Sequence, residues 1–189
     1  PLGVARRPEP TSHRPIGPTM NDTSLTTTTI DSPVGPLTIV ASERGVRAIL
    51  WPDDDPRRVP VGDDVRVSAD PADHPVIAAV VEQLAEYFAG ERRDFDLPLD
   101  VVGTEFQRSA WDALRTIDYG STVSYGEQAD RMGDRRKARA VGAANGRNPV
   151  SIVVPCHRVV GADGSLTGFA GGVDTKAWLL EHERANVAG

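Results

Sequence analysis

The sequence predicts an α+β protein with a strand-rich first half and a mostly helical second half. Apolar residues alternate with other residues over 38–51, as in half-buried strands. From residue 104 onward, two capping-box patterns precede helical segments. A chain of 189 residues can hold two small domains. We therefore predict an N-terminal domain over 20–97 and a C-terminal domain over 104–185, after a flexible, Pro-rich leader over 1–19.

Three strands and one helix are predicted for the N-terminal domain. The segment 38–51 is typical of two strands joined by a turn around Gly45, and another strand is expected at 25–30. A helix follows, with Asp73 before a proline as its start and Gly90 as its stop. Apolar residues at helical spacing support it, namely Val76, Ile77, Val80, Val81, Leu84 and Phe88. None of these residues indicates what the domain does.

Charge is distributed unevenly along the chain. The net charge of −6 argues against binding to nucleic acid. However, seven Asp against three Arg lie within 52–75, a Pro-rich stretch typical of a solvated loop. Residues 131–158 instead carry six Arg and one Lys against a single Asp. Such a run is most often a solvated face, but it can also bind a phosphate backbone.

Three helices are predicted at the start of the C-terminal domain. Capping boxes begin one helix at 104–107 and a shorter one at 124–127. Gly133 turns the chain, and Asp134 can cap a third helix that ends near Gly146. The first helix places its apolar residues on one face: Phe106, Ala110, Leu114 and Ile117. Two short helices joined by a tight turn, the second one basic, are typical of a helix-turn-helix.

The third helix is crowded with small residues in KARAVGAANGRNP. Gly142 inside a helix costs about 1 kcal/mol relative to Ala. Small residues here permit either close packing against a neighbouring helix or close approach to a nucleic-acid backbone, with Arg139 projecting from the helix. The composition leaves both interpretations open.

The only cysteine, Cys156, lies in SIVVPCHRVVG. One cysteine can form neither an intramolecular disulfide nor a cysteine-based zinc site. An unpaired thiol suits a reducing compartment, so we expect a cytoplasmic protein, and no run of membrane-spanning length is visible. SIVVP is predicted to be a short buried strand. Because adjacent strand residues point to opposite faces, a pairing of Cys156 with His157 requires an irregular turn at 155–157.

Two interpretations of Cys156 are open on these residues. The thiol is either an inert buried side chain or a nucleophile whose pKa is lowered by a base. Pro155 fixes the backbone before it, and His157 supplies a titratable base. Five glycines then follow in a loop able to fold closely round a ligand: Gly161, Gly164, Gly168, Gly171 and Gly172.

The segments ARAVGAANGRNPVSIVVPCHRVVG and GFAGGVDTKAWLLEHE closely resemble the O6-alkylguanine-DNA alkyltransferases, also called methylated-DNA–protein-cysteine methyltransferases. The resemblance runs from about Thr104 to Glu183, and its Pro-Cys-His-Arg core is highly specific to that family. The N-terminal part fits loosely, as a small domain resembling a ribonuclease H-like fold. The resemblance implies direct-reversal DNA repair, in which an alkyl group moves irreversibly from O6-alkylguanine to Cys156 in a single turnover. O4-alkylthymine is a further candidate substrate.

The resemblance also implies a role for each active-site residue. Cys156 accepts the alkyl group, and His157 removes the thiol proton through a water. Glu183 orients and polarises the imidazole, as in a catalytic triad built around a thiol. Tyr125 is the hydrogen-bond donor to the leaving guanine. Asn148 stiffens the turn between the third helix and the active-site strand.

Four further residues are implied in contacts with DNA or the base. Arg139 enters the base stack in place of the extruded nucleotide, with the helix-turn-helix docked in the minor groove. Val159, Phe169 and Ala170 contact the base. Phe169 stands where many relatives have tyrosine, which leaves stacking without a hydroxyl contact. Ala170 stands where some have serine, which leaves its backbone amide as the donor to O6.

The resemblance implies no cofactor and no metal, because the cysteines of the metal site in some relatives are missing. It implies double-stranded DNA as the partner of a monomer that can cluster on DNA, with no membrane partner. Trp111 and Trp178 are interpreted as core residues.

Three other functions remain alternatives. A non-catalytic sensor of alkylated DNA would bind damage without using the thiol. A helix-turn-helix regulator would prefer a DNA sequence rather than damage. A Cys-His hydrolase would need an oxyanion hole and would turn over many times.

Overall fold

The structure is a computed structural model that describes residues 24–61, 65–68 and 70–187. The leader predicted over 1–19 lies outside the described residues. The elements follow in the order β1 (Leu25–Ile30), β2 (Leu37–Ser42), β3 (Gly45–Leu50), β4 (Val65–Val67), α1 (Pro75–Phe88), α2 (Glu105–Leu114), β5 (Val123–Ser124), α3 (Tyr125–Arg131), α4 (Ala138–Asn145), β6 (Val159–Val160) and α5 (Val173–Val187). Among the described residues, no helix is long and apolar enough to span a bilayer.

A four-stranded sheet in the order β3-β2-β1-β4 forms the first half. The three longer strands are antiparallel neighbours, and β4 adds parallel to β1. The turn predicted around Gly45 is confirmed, and Ser42 lies opposite Gly45. A Cβ on Gly45 would lie 2.5 Å from the Pro98 carbonyl oxygen, which explains the glycine. The strand β4 was not predicted, because its three residues lie within the acidic stretch 52–75.

Helix α1 packs its apolar side on the sheet. Its buried residues are Ile77, Val80, Leu84 and Tyr87. The start predicted at Asp73 is wrong by one residue, because His74 occupies the N-cap position. Asp73 instead ends a short 3₁₀ turn that the side chain of Asp70 caps. Gly90 follows the helix at a φ of +78°, as a C-terminal stop requires.

The predicted helix-turn-helix is present as α3 and α4. Both predicted capping boxes form, one at the start of α2 and one at the start of α3. The third helix is shorter than predicted, because Asp134 caps a 3₁₀ turn over 135–137 and α4 begins at Ala138. Gln128 and Asn145 join α3 to α4 through paired side-chain amides, with N–O distances of 3.2 and 2.7 Å.

The predicted strand SIVVP is wrong. Its residues are buried except for the half-buried Val153, but the chain coils over them, with the Val154 N–H donating to the Val150 carbonyl. Ile152 has a φ of +77°, a left-handed conformation that interrupts a strand. The segment joins the sheet only at its start, where the Ile49 N–H donates to the Pro149 carbonyl at 2.8 Å. This coil delivers Cys156 into the core between the two halves of the chain.

Candidate active site

Cys156 begins a 3₁₀ turn over Cys156–Arg158. A turn here matches the irregular one predicted at 155–157, but among the described residues no hydrogen bond joins Cys156 to His157. The whole turn is buried, with Cys156 7% exposed and His157 fully enclosed. Burial raises the pKa of the Cys156 thiol, while the neighbouring polar side chains of Asn148 and Ser151 oppose that rise. The thiol is therefore neutral at rest and needs a base before it can act as a nucleophile.

Glu183, on α5, is the acidic partner of the imidazole. Its Oε1 lies 2.8 Å from Nε2 of His157 and accepts a hydrogen bond of 2.9 Å from the Tyr87 hydroxyl. Oε2 accepts from the Gly120 N–H at 3.0 Å and from Nε of Arg158 at 3.0 Å. Burial alone would raise the pKa of Glu183, but His157 and then Arg158 lower it to about 2. Glu183 is thus a fully buried carboxylate that stays ionised.

The ionised carboxylate determines the tautomer of His157. Because Glu183 can only accept hydrogen bonds, the neutral imidazole carries its proton on Nε2. Burial lowers the pKa of His157, and Glu183 opposes this shift. Nδ1 is buried and has no hydrogen-bond partner among the described residues. The imidazole therefore presents a free basic nitrogen while its other nitrogen is held by the carboxylate.

Asn148 fixes the turn that leads from α4 to the coil before the thiol. Its Nδ2 donates to the Val154 carbonyl at 2.8 Å, and its Oδ1 accepts from the Val150 N–H at 3.1 Å. The side chain spans the coil from one end to the other and is 1% exposed. These contacts restrain the coil at both ends, and the stiffening role that the resemblance implies stays a prediction.

An open cleft of about 810 Å³ lies between α4 and the loop that follows β6. Four residues that the resemblance implies in contacts with the base or DNA line it: Tyr125, Arg139, Phe169 and Ala170. Cys156, His157 and Val159 are not among its lining residues. Phe169 connects the two regions, because its ring lies edge-on to the His157 ring with centroids 6.4 Å apart.

Two observations refine the predictions for the cleft wall. The Tyr125 hydroxyl donates to the Thr167 carbonyl at 3.1 Å, so it must rotate to meet a base. A Cβ on Gly142 would lie 3.5 Å from the Tyr125 ring, an ordinary contact, so packing alone does not demand glycine there. The glycine instead widens the cleft beside Arg139, which is exposed at the start of α4.

Lys176, in the first turn of α5, belongs to the site but was not predicted. It is fully buried, and its Nζ donates to the carbonyls of Val159 at 2.5 Å and Thr167 at 2.9 Å. Burial lowers its pKa, and Cys156 opposes that shift. The spacing of Lys176, Leu179, Leu180 and Glu183 on one helix face could have revealed it.

Arg58 also was not predicted, because the acidic stretch was interpreted as a solvated loop. That interpretation is wrong at this point, since the Arg58 side chain is 7% exposed. It pairs with Asp54 and donates to the carbonyls of Asn148 and Ile49. No pattern in the sequence distinguishes it from its exposed neighbour Arg57.

The two tryptophans interpreted as core both take part in packing. Trp111 is 4% exposed, and its Nε1 donates to the Ala144 carbonyl at 2.9 Å. Trp178 is half-buried and stacks on His182, with ring centroids 4.9 Å apart.

Comparison with known proteins decides the family. Two family models match: the 6-O-methylguanine DNA methyltransferase, ribonuclease-like domain, over 25–101, and its DNA binding domain over 105–185. The chain belongs to the methylated-DNA–protein-cysteine methyltransferase family. A relative of that name from Mycolicibacterium paratuberculosis is 48% identical over 158 residues, covering 82% of this chain and 90% of the relative. One from Methanosarcina acetivorans is 42% identical over 153 residues, covering 81% and 94%.

A solved structure supports the same conclusion. The crystal structure of Mycobacterium tuberculosis OGT in complex with DNA superimposes with a TM-score of 0.76 at 44% identity, covering 85% of this chain and 94% of that one. The predicted α+β class, with a ribonuclease-like domain before a DNA-binding domain, is therefore confirmed.

Proposed function

We propose that this protein repairs DNA by direct reversal, moving the alkyl group of O6-alkylguanine to Sγ of its own Cys156. The observation that carries the proposal is the buried Glu183–His157 pair, whose histidine shares one buried 3₁₀ turn with the only cysteine of the chain. Membership of the methyltransferase family supports the reaction type. The thioether product has no second cysteine to resolve it, so each molecule acts once.

The reaction begins with activation of the thiol. Nδ1 of His157 takes the thiol proton through a water, while Glu183 stabilises the imidazolium that forms. The Sγ thiolate then attacks the alkyl carbon, forming the S–C bond as the C–O6 bond breaks. The bonding electrons pass to the guanine, which is neutralised by a proton. The thiol proton thus ends on the repaired base, and Cys156 keeps the alkyl group.

The leaving guanine needs hydrogen-bond donors, because it carries developing negative charge. Tyr125 is suited to this role after its hydroxyl rotates away from Thr167. Ala170 and Phe169 line the same cleft, which supports the Ala170 backbone amide as the donor to O6 and the Phe169 ring as the surface on which the base stacks. Val159 borders the site through a carbonyl that Lys176 already binds.

The partner is double-stranded DNA docked through its minor groove on the helix-turn-helix. An O6 atom inside a duplex cannot reach a buried thiol, so the damaged nucleotide must be extruded. Arg139 stands exposed at the start of α4, beside the exposed basic residues of the 135–137 turn. It is placed to fill the space that the extruded nucleotide leaves. We also propose a cytoplasmic protein, as an unpaired thiol required for activity suits a reducing compartment.

Intact-protein mass spectrometry after mixing with a duplex that contains one O6-methylguanine tests the proposal. We expect one added methyl group per molecule, located on Cys156 by peptide mapping, and none in Cys156→Ser. The matched control is binding, which Cys156→Ser should retain. No mass gain together with selective binding of the damaged duplex would contradict the transfer and support a sensor of alkylated DNA.

A further inference from the structure

Trp51, the residue after β3, reaches from the sheet to the loop that carries Phe169 and Ala170. Its side chain is buried, 6% exposed, and meets Phe169 edge-on with ring centroids 5.5 Å apart. Phe169 meets the ring of His157 in the same manner. A chain of three aromatic rings therefore connects the N-terminal half to the imidazole.

The backbone of Gly171 lies directly on the face of the Trp51 indole. A Cβ on Gly171 would stand 2.8 Å from Cδ2 and Cε2 of the indole and 2.9 Å from Cε3. Gly168 and Gly172 have φ values of +51° and +89°, but Gly171 has no such left-handed conformation. The indole alone, and not the backbone, therefore excludes a side chain at position 171.

The loop over 168–171 has few other restraints. Within the described part of the chain, its only hydrogen bond runs from the Gly172 N–H to the Phe169 carbonyl at 3.0 Å. The preceding residue, Thr167, is held through its carbonyl by Tyr125 and Lys176. Beside the edge-on packing of Phe169 on His157, contact with Trp51 is thus the side-chain restraint on this loop, through both Phe169 and Gly171.

Trp51 is itself held in place through its backbone. Its N–H donates to Oδ2 of Asp54 at 3.2 Å, and its carbonyl accepts from the Asp54 N–H at 3.2 Å. Its Nε1, however, is buried without a partner among the described residues. An aliphatic or phenyl side chain would leave no donor unpaired, so hydrogen bonding does not favour an indole here. What the indole supplies is a broad flat surface for Gly171.

We propose that Trp51 is a positioning residue for alkyl transfer, whose indole fixes the loop over 168–171 so that Phe169 and Ala170 hold the base towards Cys156. The proposal rests on the function proposed above. Under this proposal, the N-terminal half helps to position the base for the reaction through Trp51.

A double-mutant cycle on Trp51 and Gly171 tests it, with single-turnover methyl transfer measured against the concentration of damaged duplex. We expect Trp51→Ala and Gly171→Ala each to lower the limiting rate by roughly tenfold to a hundredfold, because small misplacements in a reacting geometry have effects of this size. Adding Gly171→Ala to Trp51→Ala should cause no further loss, since the clash with the indole is gone. Trp51→Phe should restore most of the rate by keeping an aromatic surface.

Trp178→Ala is the matched control, because it removes a tryptophan that packs on His182 away from the cleft. It should lower the thermal midpoint and leave the limiting rate close to that of the unchanged protein. Additive losses in the cycle, or an equal rate loss in Trp178→Ala, would overturn the positioning role. An undiminished rate in Trp51→Ala would overturn it too.

Hydrogen exchange of the loop peptide, without DNA, separates this proposal from the function. The Gly172 amide, which donates to the Phe169 carbonyl, is the protected probe of this loop, and we expect it to exchange faster in Trp51→Ala than in Trp51→Phe or Trp178→Ala. Faster exchange in Trp51→Ala, in a protein that transfers no methyl group, would support the restraint of the loop by Trp51 and refute the proposed reaction. Unchanged exchange in a protein that does transfer methyl groups would refute the role of Trp51.

Discussion

Lowering the pH should remove the contribution of ionised Glu183 to the free energy of unfolding. The pKa of Glu183 falls from an ordinary 4.5 to about 2 in the folded protein. At about 1.4 kcal/mol per pKa unit, this difference corresponds to about 3 kcal/mol of folding free energy. Because the folded pKa is the lower one, this stability is present above pH 4.5 and disappears as the pH falls towards 2.

Glu183→Gln removes this contribution at every pH. The substitution turns one carboxylate oxygen into an NH₂ group, which cannot accept a hydrogen bond. This group must face donors on either side, because His157 and Tyr87 donate to one oxygen and Gly120 donates to the other. Arg158 also loses its buried counter-charge. Breaking a buried pair in this way costs roughly 3–5 kcal/mol, in line with the value from the pKa.

Urea unfolding of the native protein and Glu183→Gln at a series of pH values measures the difference directly. We expect a gap of about 3 kcal/mol or more at pH 7 that narrows below pH 4.5 as the native carboxylate takes up its proton. Burial also lowers the pKa of His157 in the folded protein. The contribution of His157 to stability is therefore complete above pH 6.5, the ordinary pKa of histidine, and is lost as the pH falls through the lower pKa of the folded protein. A gap that stays the same from pH 7 to pH 3 would refute the assignment of an ionised Glu183.

Two further predictions concern the coil and the DNA face. Asn148→Ala removes two hydrogen bonds from a side chain that is 1% exposed, so the free energy of unfolding should fall by roughly 2–3 kcal/mol in urea titrations, and methyl transfer should slow. A normal rate at a reduced stability would limit Asn148 to a structural role. Arg139→Ala should slow repair of a duplex more than reaction with free O6-alkylguanine, because only the duplex requires extrusion. Single-turnover rates on both substrates check this, and equal slowing would contradict the proposed role of Arg139.

The sequence predicted best where local chemistry decides the structure. In both capping boxes, the free N–H groups at the start of the helix bond to side chains within four residues of sequence. The pattern can therefore be recognised from the sequence alone. A turn at 155–157 was predicted only as what a pairing of Cys156 with His157 would require, and the structure has a 3₁₀ turn over Cys156–Arg158. The segment before it was predicted wrongly, because the short aliphatic run over 152–154 fits a buried coil as well as a strand. Only the fold shows that Ile152 adopts a left-handed conformation.

Long-range contacts account for what the sequence did not show. Arg58 acts on Asn148, which lies 90 residues further along the chain, and no local pattern marks such a contact. Lys176 did carry a signal, because its helical spacing places it on the buried face with Leu179 and Glu183. The limits of the two domains, 20–97 and 104–185, stay predictions. So do the monomeric state and its clustering on DNA.

The first half of the chain acquires a role through three contacts, each with a different part of the site. Tyr87 donates to Glu183, Arg58 donates to the Asn148 carbonyl, and Trp51 supports the loop that carries Phe169. In the proposed reaction, each contact restrains a group that must stay in place while the thiol ionises. A buried carboxylate, a coil and a loop rich in glycine would otherwise relax independently. The sheet and α1 therefore hold together a site whose reacting groups all come from the second half.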